Sequence, residues 1–281
     1  MEENYKDRIL KARELIANSD YVLIGAGAGL STAGGFEYSG EKFDKYFKDF
    51  GDKYGFKDMY AGGFYPYATE EERWAYWSRY VYINRYLEQN PNKAYAALFD
   101  LVKNKDYFVI TTNVDHQFQI AGFDKNKLFY TQGDYGLFQC SVPCHDKTYD
   151  NKELIEKMYR EQKNGKVPTY LIPKCPVCGR NMEMNLRADD KFVQDSGWYK
   201  HAELYQQFLD KIKGKKIVLL EIGVGYNTPA IIKYPFERMV YLNKKFNLIR
   251  INKDYPIVSN EIEKRTICFD EDTMKILKDL R

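Results

Sequence analysis

No stretch of this sequence is long and apolar enough to cross a bilayer, which takes about 20 such residues in a row. The first residues, Met1-Glu2-Glu3-Asn4-Tyr5-Lys6-Asp7-Arg8, also lack the apolar core of a secretory signal. Both absences point to the cytoplasm. Charge of one sign is missing too: 43 lysines and arginines against 40 aspartates and glutamates leave a net charge of +3. So slight an excess argues against nucleic acid or a membrane surface as partner. Cysteine is sparse, with five residues, and four of them fall in two close pairs. In a reducing compartment that pattern favours a metal site over disulfides. What is present is the composition of a globular protein, 44% hydrophobic and 30% charged, with an unusual 25 tyrosines. At 281 residues the chain can form one large domain with a smaller insert.

The most informative stretch runs Tyr21-Val22-Leu23-Ile24-Gly25-Ala26-Gly27-Ala28-Gly29-Leu30-Ser31-Thr32-Ala33-Gly34-Gly35. An apolar strand, Tyr21 to Ile24, enters a glycine-rich turn with a helix possible behind it. Successive glycines let the backbone approach a phosphate, and N–H groups free at a helix start face it. Glycine-rich turns after strands also serve tight packing alone, so the loop by itself leaves a nucleotide role open.

Along the chain, helical and strand patterns alternate. Residues 4–19 read as an amphipathic helix capped by Asn4, with Ile9, Ala12, Leu15 and Ile16 on one face. From Phe36 to about Tyr67 the pattern is irregular and aromatic. Thr69 and Glu72 form a capping box that opens a helix through about Gln89, with Trp74, Trp77 and Val81 as its stripe. Asn90-Pro91 reads as the next helix start, and Ala94, Ala97, Leu98 and Leu101 as its buried face. Strands follow at Tyr107 to Thr112, Leu128 to Tyr130, Lys216 to Ile222 and Asn247 to Asn252, with helices over 198–213 and 270–281. Strands alternating with helices imply a parallel sheet covered on both faces. Loops 25–35, 113–115 and 223–228 end strands, and in open α/β sheets ligands sit beyond such ends. The expected fold is therefore α/β, a Rossmann-like sheet with a smaller zinc-binding and helical insertion. The sheet domain is expected from residues 1–40, 90–135 and 198–281, a helical insert from 41–89 and a cysteine-bearing insert from 136–197.

Cys140 and Cys144, then Cys175 and Cys178, form two knuckles, and four thiolates suit tetrahedral Zn²⁺. A closed four-ligand shell leaves no open position for catalysis, so the expected metal is structural. Four buried free cysteines are the plainer alternative. His145 could replace one ligand, while Cys268 lies in an apolar run and reads as packing.

Gly27-Ala28-Gly29-Leu30-Ser31-Thr32, Pro91-Asn92, Thr111-Thr112-Asn113-Val114-Asp115, Ala121-Gly122, Gln132-Gly133 and the cysteine pairs occur in the order and spacing of a sirtuin. The chain resembles that family over about residues 5–275, and above all the macrodomain-linked (class M) sirtuins of bacteria. The resemblance implies NAD as substrate and one structural zinc ion. It implies that the loop Gly25, Ala26, Gly27, Ala28 and Ser31 holds the pyrophosphate of NAD. Asn113 would order the nicotinamide ribose and its water, and Asp115 the nicotinamide amide. Gly223, Gly225 and Asn227 would cradle the adenosine ribose and phosphate, and Asn252 the adenosine side. At the adenosine turn the usual Thr-Ser pair reads Val224-Gly225. Two departures matter more than the matches, and one is Phe36-Glu37-Tyr38-Ser39-Gly40 in place of the segment that lines the nicotinamide pocket.

The weightier departure is Gln132, which stands where deacetylase sirtuins carry the catalytic histidine. Histidine titrates near neutral pH and serves as a general base, whereas a glutamine amide only donates and accepts hydrogen bonds. Gln132 can position a ribose or an acceptor but cannot remove its proton, so deacylation should be crippled. Transfer of ADP-ribose to an anionic carboxylate needs no base. The resemblance accordingly implies a protein mono-ADP-ribosyltransferase acting on a lipoyl-carrier protein, with a macrodomain hydrolase reversing the mark. An NAD glycohydrolase, a deacylase and a non-catalytic NAD sensor are the alternatives. His116 and His201 are candidates for a substitute base, with a surface histidine as the plainer reading of each.

Overall fold

A computed structural model describes residues 4–87 and 90–281. Along the chain the strands are β1 (Tyr21–Ala26), β2 (Tyr107–Thr111), β3 (Leu128–Tyr130), β4 (Gly133–Cys140), β5 (Tyr149–Asp150), β6 (Met182–Leu186), β7 (Ile217–Ile222), β8 (Phe246–Ile251) and β9 (Thr266–Phe269). Six of them form one parallel sheet in the order β3-β2-β1-β7-β8-β9, the Rossmann-like arrangement expected. Every residue of β2 and β7 is buried, as befits a sheet covered on both faces. Side chains alternate across it. Val22, Ile24 and Ala26 enter a core with helices Tyr5–Asn18, Lys93–Val102 and Thr273–Asp279. Leu23 and Leu219 face the opposite core, against helices Ser196–Lys211 and Lys233–Leu242.

The chain builds outward from β1 to β3, leaves the sheet, and returns on the other side of β1 as β7. The order therefore reverses between β1 and β7, and their carboxyl ends open a crevice there. Between β3 and β7 the chain forms a second sheet, antiparallel, in the order β5-β4-β6. This sheet shares one core with helices Glu41–Tyr54 and Glu70–Val81: Phe43, Phe47, Trp74, Tyr76, Phe138, Met184 and Cys140 pack together. The two insertions, distant in sequence, thus fold around one centre. Several of the numerous tyrosines are spent here, with Tyr76, Tyr80, Tyr86 and Tyr135 all buried.

Several local expectations need correction. Residues 36–67 are not irregular: helices Glu41–Tyr54 and Met59–Gly63 occupy much of the stretch. Phe43, Phe47 and Phe50 lie one helical turn apart and are buried, which is what holds the first of them. The capping-box helix begins as expected, with Thr69 Oγ1 accepting the Glu72 N–H at 3.3 Å. It passes at Val81 into a π-helical turn, Tyr82–Tyr86, and its expected end at Gln89 lies outside the described residues. The following helix starts at Lys93 and not at Pro91. Asn92 is its cap, accepting the Ala94 N–H at 2.9 Å, while Pro91 precedes it. No helix among the described residues is long and apolar enough to cross a membrane.

Candidate active site and metal centre

At the crevice the two loops meet backbone to backbone. Gly27 N–H donates to Ile222 O at 3.0 Å, and Gly29 N–H to Gly223 O at 3.0 Å. A Cβ on Gly27 would stand 2.6 Å from Gly223 O, and one on Gly29 2.6 Å from Gly223 Cα. Gly223 itself has φ +61°, and a Cβ on it would stand 2.5 Å from the Gly29 backbone. Two of the loop's N–H groups are therefore spent on the facing loop. Gly25 and Ala26, assigned to the phosphate loop by resemblance, are instead the buried end of β1. A side chain on Gly25 would run into Ile232 and Phe236.

A cleft of about 810 Å³ opens over this contact. Gly27, Ala28, Asn113, Gln132, Gly223, Gly225, Asn227 and Asn252 line it, so most of the residues singled out in the sequence come together around one cleft. Ser31 and Asp115 line a smaller adjoining recess of about 120 Å³, together with Phe36, Tyr38 and Tyr135. Asn113 borders both spaces. Val224, in place of a polar residue, is buried in the sheet core and offers only its carbonyl, which accepts from Asn252 Nδ2 at 2.8 Å. Asn252 Oδ1 in turn accepts the N–H groups of Asp254 at 3.1 Å and Tyr255 at 3.0 Å, tying down the loop after β8.

Beneath Asn113 lies a closed polar network. Its Nδ2 donates to Gly27 O at 2.9 Å and to Tyr95 Oη at 2.8 Å. Ser31 Oγ and Tyr95 Oη both reach Asp115 Oδ2, at 2.6 and 3.0 Å, and Gln117 N–H reaches Asp115 Oδ1 at 3.1 Å. Burial pushes the Asp115 carboxyl above its ordinary range, and these three donors only partly offset it. Sequence reasoning missed Tyr95, which sits on the apolar face of a helix and shows no motif. It also missed Arg187 and Lys253, the cations of the cleft wall, which look like ordinary surface charges in the sequence.

Gln132 is followed by Gly133, where β4 begins, and its carbonyl accepts the Arg187 N–H at 3.0 Å. Neither proposed substitute base lines the cleft. His116, at φ +62°, is bonded through Nδ1 to the Asp134 carboxylate at 2.5 Å. Burial raises the Asp134 carboxyl, but His116, the Arg85 charge and the Gly136 N–H outweigh it and hold the group below its usual value. His201 lies on helix Ser196–Lys211 beside Tyr130, and burial lowers its pKa.

In the small module all four cysteine sulphurs lie within 4.8 Å of one another. Cys140 and Cys178 Sγ are 3.6 Å apart, and Cys144 and Cys175 Sγ 3.7 Å. Tetrahedral zinc with Zn–S bonds of about 2.3 Å needs sulphurs about 3.8 Å apart, so the set suits one structural ion. Burial opposes ionisation of Cys175, but the backbone N–H groups of Cys178 and Val177 and the neighbouring thiols bring it down to about 7. His145 stands outside the set: its Nδ1 meets Cys144 Sγ at 3.0 Å and its Nε2 the Tyr149 hydroxyl at 2.7 Å. Cys268 lies in β9 and takes no part.

A doubly wound parallel sheet with glycine loops meeting at its switch point defines a dinucleotide-binding fold, here carrying a four-cysteine module. No protein-family model matches the chain. A protein ADP-ribosyltransferase of Staphylococcus aureus is 40% identical over 266 residues, 94% of this chain and 84% of that protein. A probable bifunctional ADP-ribose hydrolase/ADP-ribosyltransferase of Fusarium oxysporum f. sp. cubense is 32% identical over 85% of this chain and 41% of that protein. An NAD-dependent protein deacetylase of Clostridium perfringens is 28% identical over 88% of each. A solved structure of a Sir2 enzyme superposes with a TM-score of 0.60 at 20% identity, over 98% of this chain and 96% of that one. The chain belongs to the sirtuin family.

Proposed function

We propose that this sirtuin is an NAD-dependent protein ADP-ribosyltransferase that modifies a carboxylate. The observation that carries this reading is Gln132 lining the same cleft as Asn113 and the Gly27–Gly223 contact. The cradle suits the pyrophosphate of NAD, and the cleft carries the cations Arg187 and Lys253 together with the carboxylates Asp254, Glu271 and Asp272. The recess at Asp115 suits nicotinamide, since one lone pair of Oδ1 remains for the amide. Asn113 then borders the bond that breaks.

Cleavage sends the electron pair of the anomeric C–N bond to nicotinamide, which leaves neutral, and positive charge develops on the ribose carbon. Oriented dipoles such as the Asn113 carbonyl stabilise that charge. An ionised acceptor carboxylate attacks the same carbon with an oxygen lone pair and forms an ester, with no proton to be removed. Gln132 positions the ribose or the acceptor by hydrogen bonds. A deacylase would need a base at this position, which is why deacylation is expected to be weak.

The functional link to a macrodomain hydrolase that reverses the mark comes from the resemblance to class M sirtuins. The lipoyl-carrier acceptor rests on the resemblance to class M sirtuins. Incubation with labelled NAD and lysate, followed by mass spectrometry, tests the reading. Label on a protein carboxylate is expected, and Asn113→Ala should abolish it together with nicotinamide release. Free ADP-ribose without labelled protein would make the chain a glycohydrolase. Brisk deacylation of lysine peptides would overturn the role given to Gln132.

A further inference from the structure

Tyr95 is fully buried on helix Lys93–Val102, with its ring edge-on to Phe118 at 4.8 Å. It lines neither the cleft nor the recess. Its hydroxyl nevertheless lies within hydrogen-bond reach of Ser31 Oγ at 2.7 Å, Asp115 Oδ2 at 3.0 Å and Asn113 Nδ2 at 2.8 Å. Burying a hydroxyl among three polar groups is costly unless each donor finds an acceptor. The proton count is fixed at its Asn113 end.

Gly27 O is a main-chain acceptor and cannot donate, so the Asn113 atom facing it at 2.9 Å must be the amide nitrogen. The second proton of that nitrogen points at Tyr95 Oη, which therefore receives it on a lone pair. The tyrosine's own proton is left for Asp115 Oδ2 at 3.0 Å or Ser31 Oγ at 2.7 Å, and since Ser31 donates to Asp115 at 2.6 Å either route ends on that carboxylate. Asn113 Oδ1 then accepts no hydrogen bond among the described residues, and Asn113 borders both the cleft and the recess. We propose that Tyr95 is a positioning residue for the bond-breaking step: its hydroxyl locks the Asn113 amide with the carbonyl as the free edge and couples it to the Asp115 carboxylate. A ribose hydroxyl meets an acceptor that is already oriented, and no reorganisation is needed as charge develops.

The inference rests on the reading of Asn113 as the ribose-side residue. Tyr95→Phe keeps the ring and its packing and removes only the hydroxyl. The assay is nicotinamide release, whatever becomes of the ADP-ribose. The expected result is a kcat lower by about tenfold or more, the loss typical of a disturbed reacting geometry. KM for NAD should stay within about twofold, because Tyr95 does not touch the cleft.

The pH profile supplies a readout that a structural role would not move. Tyr95, Ser31 and the Gln117 N–H all favour ionised Asp115 against its burial. Removing one of them lets the carboxyl take up a proton at higher pH, so the acidic limb of the rate profile should shift upward. A variant that melts earlier but keeps its kcat and pH profile would overturn the inference. Should Tyr95→Phe fail to fold, Ser31→Ala removes another donor from Asp115 and leaves the Asn113–Tyr95 bond. Its acidic limb should also shift upward, and an unmoved limb counts against the network. Persistent nicotinamide release by Asn113→Ala would instead sink the underlying reading. Loss of release in that variant with normal Tyr95→Phe kinetics sinks only the role of Tyr95.

Discussion

The two halves of this protein are held together by different physics. The sheet half is aliphatic: Val22, Ile24, Leu219, Leu220 and Ile249 pack between helices on a six-strand ladder. The small module has a three-stranded sheet and a core of Phe, Tyr and Trp rings, fastened at one end by four sulphurs. Phe47, Phe50 and Tyr76 meet at ring separations of 5.4 to 6.4 Å, and Trp74 packs edge-on against Phe138 at 5.1 Å. The cleft lies between them. Its glycine loops and Asn113 belong to the sheet half, whereas Gln132 sits at the entrance to the module and Tyr60 within it. One wall is closely packed glycine backbone, and the other is carried by a unit whose four cysteines suit one structural zinc ion.

Removing zinc with a strong chelator should separate the halves most sharply, since binding free energy at a structural zinc site is folding free energy. Because helices Glu41–Tyr54 and Glu70–Val81 share the module's core, they should lose protection from hydrogen exchange together with Cys140 to Leu186. β1, β2, β7 and β8 should stay protected. Uniform loss across both halves, or none, would break the comparison.

A smaller effect is expected from Gly223→Ala. The new methyl group would meet the Gly29 backbone at 2.5 Å, at a φ of +61°. Overpacking of that kind costs about 1–3 kcal/mol, and calorimetric binding of NAD should be lost. The smallest change is Thr69→Ala, which removes the side-chain cap of helix Glu70–Val81 and should cost about 1 kcal/mol. Denaturant melts followed by tryptophan fluorescence should register it in the module, where Trp74 and Trp77 lie, with NAD affinity unchanged.

How much of this was legible in the sequence follows the same division. Strands β1, β2, β3, β7 and β8 stand out as apolar runs followed by glycine or polar turns, and the sheet wall of the cleft could be named residue by residue. Gly25 misled, because glycine density reads as a turn while the position is a strand pressed against Ile232 and Phe236. Lys233 and Arg250 were invisible as core: both are fully buried, and both bond Glu221, at 2.9 and 2.8 Å. Nothing local distinguishes such a lysine from a solvated one. Helix Glu41–Tyr54 carries a readable stripe, Phe43, Phe47 and Phe50, but surrounding aromatics and Gly51 blur the period. The surface it fits is contributed by segments up to about residue 184. Tyr95 shows the limit most clearly, since its hydroxyl acquires meaning only where Ser31, Asn113 and Asp115 converge.

The contact of Gly27 and Gly29 with Gly223 has a consequence for anyone redesigning the enzyme. Interlocking surfaces usually drift by exchange, one side growing as the other shrinks. Here each participant is already the smallest residue there is, so no compensating trade exists. Attempts to alter which dinucleotide is accepted should begin in the loop after β8, at Lys253 and Tyr255, where bulk and charge are still adjustable.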